Sequence, residues 1–445
     1  MTSGIFGLMG RKDLTTLEIF RTRQDKFLLR GAKEWDDDLH FCQYVDNFSY
    51  VDVLTEDYRA VGTSTLLAYF SELDLEDYLE QIKQLIRQGG HEGIEFYYHS
   101  RKDIRIAFCK HSCTIGLGNR QHAIRAGAMR RHEPDESEID IIIDGLNLCR
   151  VMTYKNRIAS LPYGGCKTMV QCSPVKLDDF ETMGFLAYVI DRCRSFPGAD
   201  MGLGEEMVDI IRERYTKNFV SGTGSPLAST GTPTAYGEFV AIKEACDFVY
   251  GSRDLQTRKI AVQGLGHVGY PLAEYLLGDG AKLVVTDIDS AKVNKLRQKY
   301  GSDSVEYVAP DEIYTVDAAV FSPCAMGGII TEDRVPQFKF KIIIGSANNQ
   351  LRAISKEEEI KLARKVADAG IVFLVDWAHN TAGVIAAALL WQLQEEQLKP
   401  KVELVCRDNF RNLLEQAKET GKTPTELAYE YIGEGLKRGG LRTAL

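Results

Sequence analysis

The sequence has no run of eighteen apolar residues, so no stretch of it reads as a membrane-spanning helix. It has no excess of basic charge either: 54 lysines and arginines stand against 63 aspartates and glutamates, a formal net charge of −9. Phosphate binding needs a basic face, which excludes nucleic acid as a main partner. Ten cysteines are present, yet none form a C-x-x-C pair. Cys109 and Cys113 flank His111 in CKHSC, but no second ligand pair follows at zinc spacing. The expectation is therefore no metal, with the cysteines as reduced, mostly buried thiols. The opening MTSGIFGLMGRKDL has an apolar patch too short for a secretion signal. Together these absences point to a cytoplasmic protein.

What is present is ordinary globular composition, 44% hydrophobic and 26% charged over 445 residues, enough for two or three domains. The first 85 residues are mixed. They include an acidic, exposed EWDDDLHF and a helix in DLEDYLEQIKQLIRQGG, where Leu79, Ile82, Leu85 and Ile86 share a face and Gly89 and Gly90 end it. EFYYH and DIRIAFCKH read as paired strands around SRKD. EIDIIIDGLNLCRVMTYKN reads as a helix opened by Pro134, Asp135 and Ser137, and LDDFETMGFLAYVIDRCRSF has a helical apolar face. SGTGSPLASTGTPTAYG, residues 221–237, has the composition of a loop or hinge, with a helix starting near Thr234.

From residue 259 the pattern changes. KIAVQGLG, KLVVTDID, AAVFSPC, FKIIIGSANN and IVFLVDWA read as buried strands separated by helices, which implies a parallel sheet with helices on both faces. TPTELAYEYI carries a capping box, with Thr423 as N-cap, Pro424 at N1 and Glu426 at N3, and is read as a docked structural helix.

Two stretches carry chemistry. In LPYGGCKTM, Lys167 follows Gly164, Gly165 and Cys166, and Lys155 stands twelve residues earlier in MTYKN. Two ammonium groups in one cleft repel, which lowers the pKa of at least one toward the range a basic catalyst needs. Small residues ahead of Lys167 suggest that its amine enters a tight space. The second stretch is GLGHVG, placed after a strand and before a helix, the context that makes a dinucleotide site credible. Gly264 makes the turn, Gly266 lets the pyrophosphate approach, and Gly269 lets helix and strand pack, with His267 and Val268 between them. Asp287 ends the next strand, 23 residues after Gly264. A carboxylate there accepts the ribose hydroxyls and repels a 2′-phosphate, favouring NAD over NADP.

The ordered blocks MTYKN, LPYGGCKTM, PGADMG, TPTAYG, VQGLGHVGY, VTDID, FSPCAMGG, GSANNQL and DWAHNTAGVI make residues 90–445 resemble the glutamate/leucine/phenylalanine/valine dehydrogenase family, closest to its leucine and phenylalanine branch. The resemblance implies an α/β protein of two domains with a cleft between them. One is a substrate-binding and oligomerisation domain (86–221 and 421–445), the other a Rossmann-type doubly wound NAD-binding domain (222–420). Residues 1–85 form an extension of unknown role, packed with the first domain. It further implies reversible oxidative deamination of an L-amino acid to a 2-oxo acid and ammonia, by a homo-oligomer.

By the same resemblance Lys155 binds the substrate carboxylate, Lys167 activates the water that attacks the imine carbon, and Asp200 moves the proton to and from the amine. Asn380 faces nicotinamide and substrate, Thr234 contacts the carboxamide, and Ala347 and Asn348 line the ring pocket. Glutamate-type members place a lysine where Ala126 stands, so glutamate is disfavoured unless Arg125, Arg130 or Arg131 substitutes. Leucine-type members have leucine at position 126 and alanine where Gly198 stands. Val384 and Ala387 face the side-chain pocket, Ala387 replacing a residue that is often valine. Three smaller walls give a larger apolar pocket, and so a bulky, up to aromatic, side chain. Cys166 is read as a small filler. The diverged LGNRQHAIRAGAMRRH and the extension leave open a pathway-specific amino acid or imine as substrate. A non-catalytic NAD-binding regulator would have lost a lysine or the aspartate, and none is lost.

Overall fold

The computed structural model describes residues 4–22, 24–36, 41, 50–112, 125–161, 163–216, 218, 230–256, 258–353, 355–389 and 395–438. They divide into two compact units. The first takes residues up to Arg157 and those from 163 to 218, the second Ile158–Leu161 and those from 230 to Arg438. Of the expected loop or hinge at 221–237, residues 221–229 lie outside the described residues, and the helix Gly231–Tyr250 starts three residues earlier than Thr234.

The first unit is built on an eight-stranded sheet: β1 (Thr16–Arg21), β2 (Phe27–Lys33), β3 (Arg59–Val61), β4 (Gly93–His99), β5 (Ile104–Lys110), β6 (Arg125–His132), β7 (Gly164–Gln171) and β8 (Ser195–Gly198). Their order is β3-β2-β1-β4-β5-β7-β6-β8. The expected β4–β5 hairpin forms antiparallel, with Asp103 at positive φ in its turn. β6 runs parallel to both β7 and β8. Every residue of β7 is buried, because helices cover both faces of the sheet there. Strand alternation sends Cys166 and Val170 into a core with Phe185 of the helix Phe180–Cys193. It sends Met169 into a second core with Ile142 and Leu146 of the helix Glu138–Ile158.

Three strands from the first 85 residues, β1, β2 and β3, belong to this sheet. β1 pairs antiparallel with β4, and Ile5, Leu8, Leu17 and Ile19 join the same core as Ile142 and Met169. The amphipathic helix expected near Leu79 spans Glu76–Gln88 and stops at Gly89.

The second unit holds six strands, all parallel: β9 (Lys259–Gln263), β10 (Lys282–Thr286), β11 (Val305–Tyr307), β12 (Val320–Pro323), β13 (Ile342–Ile343) and β14 (Val372–Phe373). Their order, β11-β10-β9-β12-β13-β14, is that of a Rossmann sheet, with its switch point between β9 and β12. β13 and β14 are shorter than their apolar runs suggested. GSANN leaves the sheet as a loop, and Asp376 opens the one-turn helix Asp376–His379.

The capping box forms reciprocally. Glu426 N donates to Thr423 Oγ1 at 3.1 Å and Thr423 N to the Glu426 carboxylate at 2.6 Å. The helix it opens, Pro424–Arg438, was expected with the first domain. It packs instead within the second unit, where Arg364 pairs with Glu426 and Tyr429 donates to Glu359, both partners being on the helix Lys356–Asp368. Among the described residues no helix is long and apolar enough to cross a membrane.

Candidate active site

In the first unit the two glycines before Lys167 make room for neighbouring chain. A Cβ on Gly164 would lie 1.8 Å from the Ser112 carbonyl oxygen, and one on Gly165 2.2 Å from that of Cys149. Gly165 is therefore needed for the helix Glu138–Ile158 to press onto the start of β7, and Gly164 for the chain after β5 to pass close by. The contact is fixed by polar bonds: Gly165 N donates to Thr153 Oγ1 at 3.0 Å, and Asn156 Nδ2 to the Gly164 carbonyl at 3.3 Å. Lys155 sits between those two anchors in the last turn of the helix and is buried. The sequence suggested that the small residues serve entry of the Lys167 amine. Their packing role is to seat the segment that carries Lys155.

Lys167 lies on β7 and is 5% exposed. Its Nζ is ion-paired with Asp200 Oδ2, in the turn that follows β8. The same oxygen accepts from Arg130 Nε at 3.2 Å, and Oδ1 accepts from Met201 N at 2.8 Å. Burial alone would raise the Asp200 carboxyl. The Lys167 and Arg130 cations outweigh it and hold the group at about 2. Two of the three residues expected to carry the chemistry are thus in direct contact.

Ala126 and Gly198 stand on adjacent strands, Ala126 opposite Phe196 and Ala128 opposite Gly198. All three arginines that might have answered an acidic substrate are engaged by the protein. Arg125 pairs with Glu92 at 2.8 Å, Arg130 with Asp200 and Asp144, and Arg131 with Glu133 at 2.5 Å and the Cys172 carbonyl at 3.0 Å.

In the second unit Gly264 takes φ +90° at the end of β9. A Cβ on Gly269 would fall 1.9 Å from the Gly264 carbonyl oxygen, whereas one on Gly266 would meet nothing within 4 Å. Gly264 and Gly269 are thus needed by the turn itself, and Gly266 leaves an open approach. Leu265, Gly266, His267 and Tyr270, with Lys292 and Lys295, line a pocket of about 330 Å³ there. A dinucleotide's phosphates fit this turn, which opens the helix Gly269–Gly278. Asp287 accepts from Leu265 N at 2.5 Å and Asp289 N at 2.8 Å, bracing the glycine turn from β10, and Lys292 lies 3.8 Å away. Asp289 itself caps the next helix through Ala291 N.

Ala347 N donates to the Pro323 carbonyl at 2.9 Å, Asn380 Nδ2 to the Ser346 carbonyl at 2.7 Å, and Thr234 Oγ1 to the Thr230 carbonyl at 2.7 Å. These bonds gather Ala347, Asn348 and Asn380 around the ends of β12 and β13. Gly383 packs on Thr234, its would-be Cβ 2.4 Å from Oγ1, so the helix Gly231–Tyr250 meets the Asn380 segment there. Val384 and Ala387 follow on the helix Ala382–Leu389 and are half-buried.

Sequence reading missed two features. One is Arg130 on Asp200. The other is a fully buried pair, Glu238 with His379 Nδ1 at 3.0 Å, directly before Asn380. A charge on an otherwise apolar helix face, as in AYGEFVAI, was the available signal for the second. Among the described residues no group of three His, Cys, Asp or Glu side chains could hold a metal.

Known proteins resemble both units of this chain. The family model described as Glutamate/Leucine/Phenylalanine/Valine dehydrogenase matches residues 224–434, and its partner, the Glu/Leu/Phe/Val dehydrogenase dimerisation domain, matches 122–217. A leucine dehydrogenase of Thermoactinomyces intermedius is 36% identical, across 74% of this chain and 86% of its own length. A phenylalanine dehydrogenase of Lysinibacillus sphaericus is 32% identical, across 78% and 86%. The crystal structure of L-tryptophan dehydrogenase from Nostoc punctiforme superposes with a TM-score of 0.63 at 29% identity, covering 80% of this chain and 98% of that one.

Proposed function

The chain belongs to the glutamate/leucine/phenylalanine/valine dehydrogenase family, and from that premise we propose that it catalyses the NAD-dependent, reversible oxidative deamination of an L-amino acid with a bulky apolar or aromatic side chain. It is an amino acid dehydrogenase, and it uses a nicotinamide cofactor. The observation that carries the mechanism is the ion pair between buried Lys167 and part-buried Asp200, with Lys167 on the strand against which the Lys155 helix packs.

The glycine turn from Gly264 to Gly269, with Asp287 behind it, would hold the cofactor, and Thr234, Ala347, Asn348 and Asn380 its nicotinamide end. When bound, that group exchanges a hydride with the substrate Cα. The protein does the rest. Lys155 holds the substrate carboxylate, which offsets its charge. Lys167 in its neutral form takes a proton from water as the water adds to the iminium carbon. Asp200 takes a proton from the substrate ammonium before the hydride leaves and returns it to the nitrogen of the water adduct; ammonia then departs as the adduct's hydroxyl proton passes back to Asp200, and the 2-oxo acid forms. Asp287 supports NAD over NADP, since a carboxylate at the end of β10 accepts ribose hydroxyls and repels a 2′-phosphate.

An apolar side chain is supported by Ala126 and Gly198 and by the engagement of Arg125, Arg130 and Arg131 with protein carboxylates. A side-chain carboxylate placed there would lack a cation, at a cost of several kcal/mol. The homologous enzymes named for leucine, phenylalanine and tryptophan support the same choice. The match to a dimerisation domain supports a homo-oligomer, which we assign to the cytoplasm.

The test follows NADH absorbance with ammonia and a panel of branched, aromatic and acidic 2-oxo acids, for the wild type and for Lys167→Ala and Asp200→Asn. Turnover is expected on the large apolar acids, faster with NADH than NADPH, and either substitution should reduce kcat by about 10²–10⁴-fold. A preference for 2-oxoglutarate would overturn the substrate assignment, and near-wild-type turnover by Lys167→Ala the mechanism.

A further inference from the structure

Asp200 faces two cations, and only one of them can change charge. Lys167 approaches Oδ2 from β7, and Arg130 approaches the same oxygen from β6 with Nε at 3.2 Å. The guanidinium is fixed in turn. Its Nη1 donates to Asp144 Oδ2 at 2.9 Å, on the helix Glu138–Ile158. Beyond Asp144 stand His132 Nε2 at 3.8 Å and, on the other side of that ring, Glu136 at 2.8 Å from Nδ1. Lys167, Asp200, Arg130 and Asp144 therefore alternate in sign along this line. The backbone reinforces the contact, since Arg131 N donates to the Met201 carbonyl at 2.9 Å and ties β6 to the turn that carries Asp200. The neighbouring Arg131 side chain is drawn away by Glu133 and the Cys172 carbonyl.

The reaction proposed above makes Lys167 lose and regain its proton in each turnover. While it is neutral, half of the positive charge on Asp200 is gone. A buried carboxylate next to a neutral amine tends to take up a proton itself. A guanidinium keeps its charge at every working pH, and its planar fork spans two carboxylates at a set angle. We propose that Arg130 is a positioning residue for the proton-transfer step: a permanent cation that keeps the Asp200 carboxylate ionised and aimed in the resting enzyme, whatever the charge on Lys167, so that it can accept the amine's proton, with Asp144 fixing the angle of the guanidinium. The inference rests on the assignment of Lys167 and Asp200 as the proton-handling pair.

The test is the acid side of the pH profile of kcat/KM for deamination, measured on the intact enzyme. In the wild type Asp200 stays ionised far below the working range, so it adds no ionisation to the acid limb and log(kcat/KM) falls with a slope of about one. In Arg130→Gln the carboxyl regains protons within the measurable range. The limb should then acquire a second ionisation, its slope approaching about two below roughly pH 5. Arg130→Lys keeps a cation and should restore a slope of about one, with kcat about tenfold lower and KM for the amino acid unchanged. A folded Arg130→Gln variant whose acid limb keeps the wild-type slope would overturn the inference. Should that variant not fold, Arg130→Lys decides alone: a raised KM with unchanged kcat would assign Arg130 to substrate binding instead. Asp200→Asn separates the two levels. If it stays active, the proton-pair assignment fails; if it is inactive and Arg130→Gln shows no added ionisation, only the role of Arg130 fails.

Discussion

Gly266 and Gly269 stand three residues apart in one motif, and the space around each predicts opposite consequences for the same substitution. A methyl on Gly269 runs into the Gly264 carbonyl, so Gly269→Ala should destabilise the protein by about 1–3 kcal/mol without any ligand. A methyl on Gly266 meets nothing in the protein, so Gly266→Ala should melt like the wild type. Its cost should fall on the cofactor instead. At about 100 times its Kd, NADH stabilises a binding protein by about 2.7 kcal/mol. Thermal melts with and without NADH should show that gain in the wild type and its loss in Gly266→Ala. An undiminished gain would mean that the dinucleotide does not approach the chain there. These glycines were legible in the sequence because their demands are local, a turn and a close approach within six residues. Arg130 was not, because its partner Asp200 is seventy positions away and the pairing depends on β6 lying parallel beside β8. The Glu238–His379 pair was hidden for the same reason.

At the scale of elements, buried parallel strands and helix signals were the readable part. KIAVQ and KLVVT are continuous apolar runs because both faces of the Rossmann sheet are covered, and the capping box before Pro424 announces its helix through residues three apart. The docking of that helix is a tertiary matter and went unread. So did the role of the first 85 residues, whose strands complete a sheet begun by residues much later in the chain. β1 brings Glu18 to within 2.7 Å of the buried Lys110, which also holds Glu95 at 2.6 Å. Glu34, just past β2, is buried against Arg192 at 3.0 Å and receives the Tyr188 hydroxyl. The extension thus supplies counter-charges to the rest of the first unit. Glu34→Ala would leave a buried tyrosine hydroxyl and a half-exposed guanidinium unpaired. With the exposed side of Arg192 screened by solvent, the expected loss is about 2 kcal/mol. A urea midpoint that does not move would mean that the extension is attached without bearing on the stability of the unit.

Across the whole molecule, the choice of substrate is the property hardest to read from any one segment. The wall positions proposed above, Ala126, Gly198, Val384 and Ala387, are scattered over more than 250 positions of sequence. No local pattern gathers them, and the block around Ala126 is the most diverged. What the strands add is the neighbourhood of Ala126. It lies on a strand bounded by β7 and β8, beside arginines already paired with Glu92 and Asp200. If its small side chain is what admits a bulky substrate, filling it should select against bulk. Ala126→Leu is expected to lower kcat/KM for aromatic substrates by about 10–200-fold, while that for leucine changes much less. Parallel assays with phenylalanine and leucine on the two proteins measure the ratio directly. An equal loss on both substrates would place Ala126 in the packing of the strand, and the extra room for a large side chain would then have to come from Gly198 or Ala387.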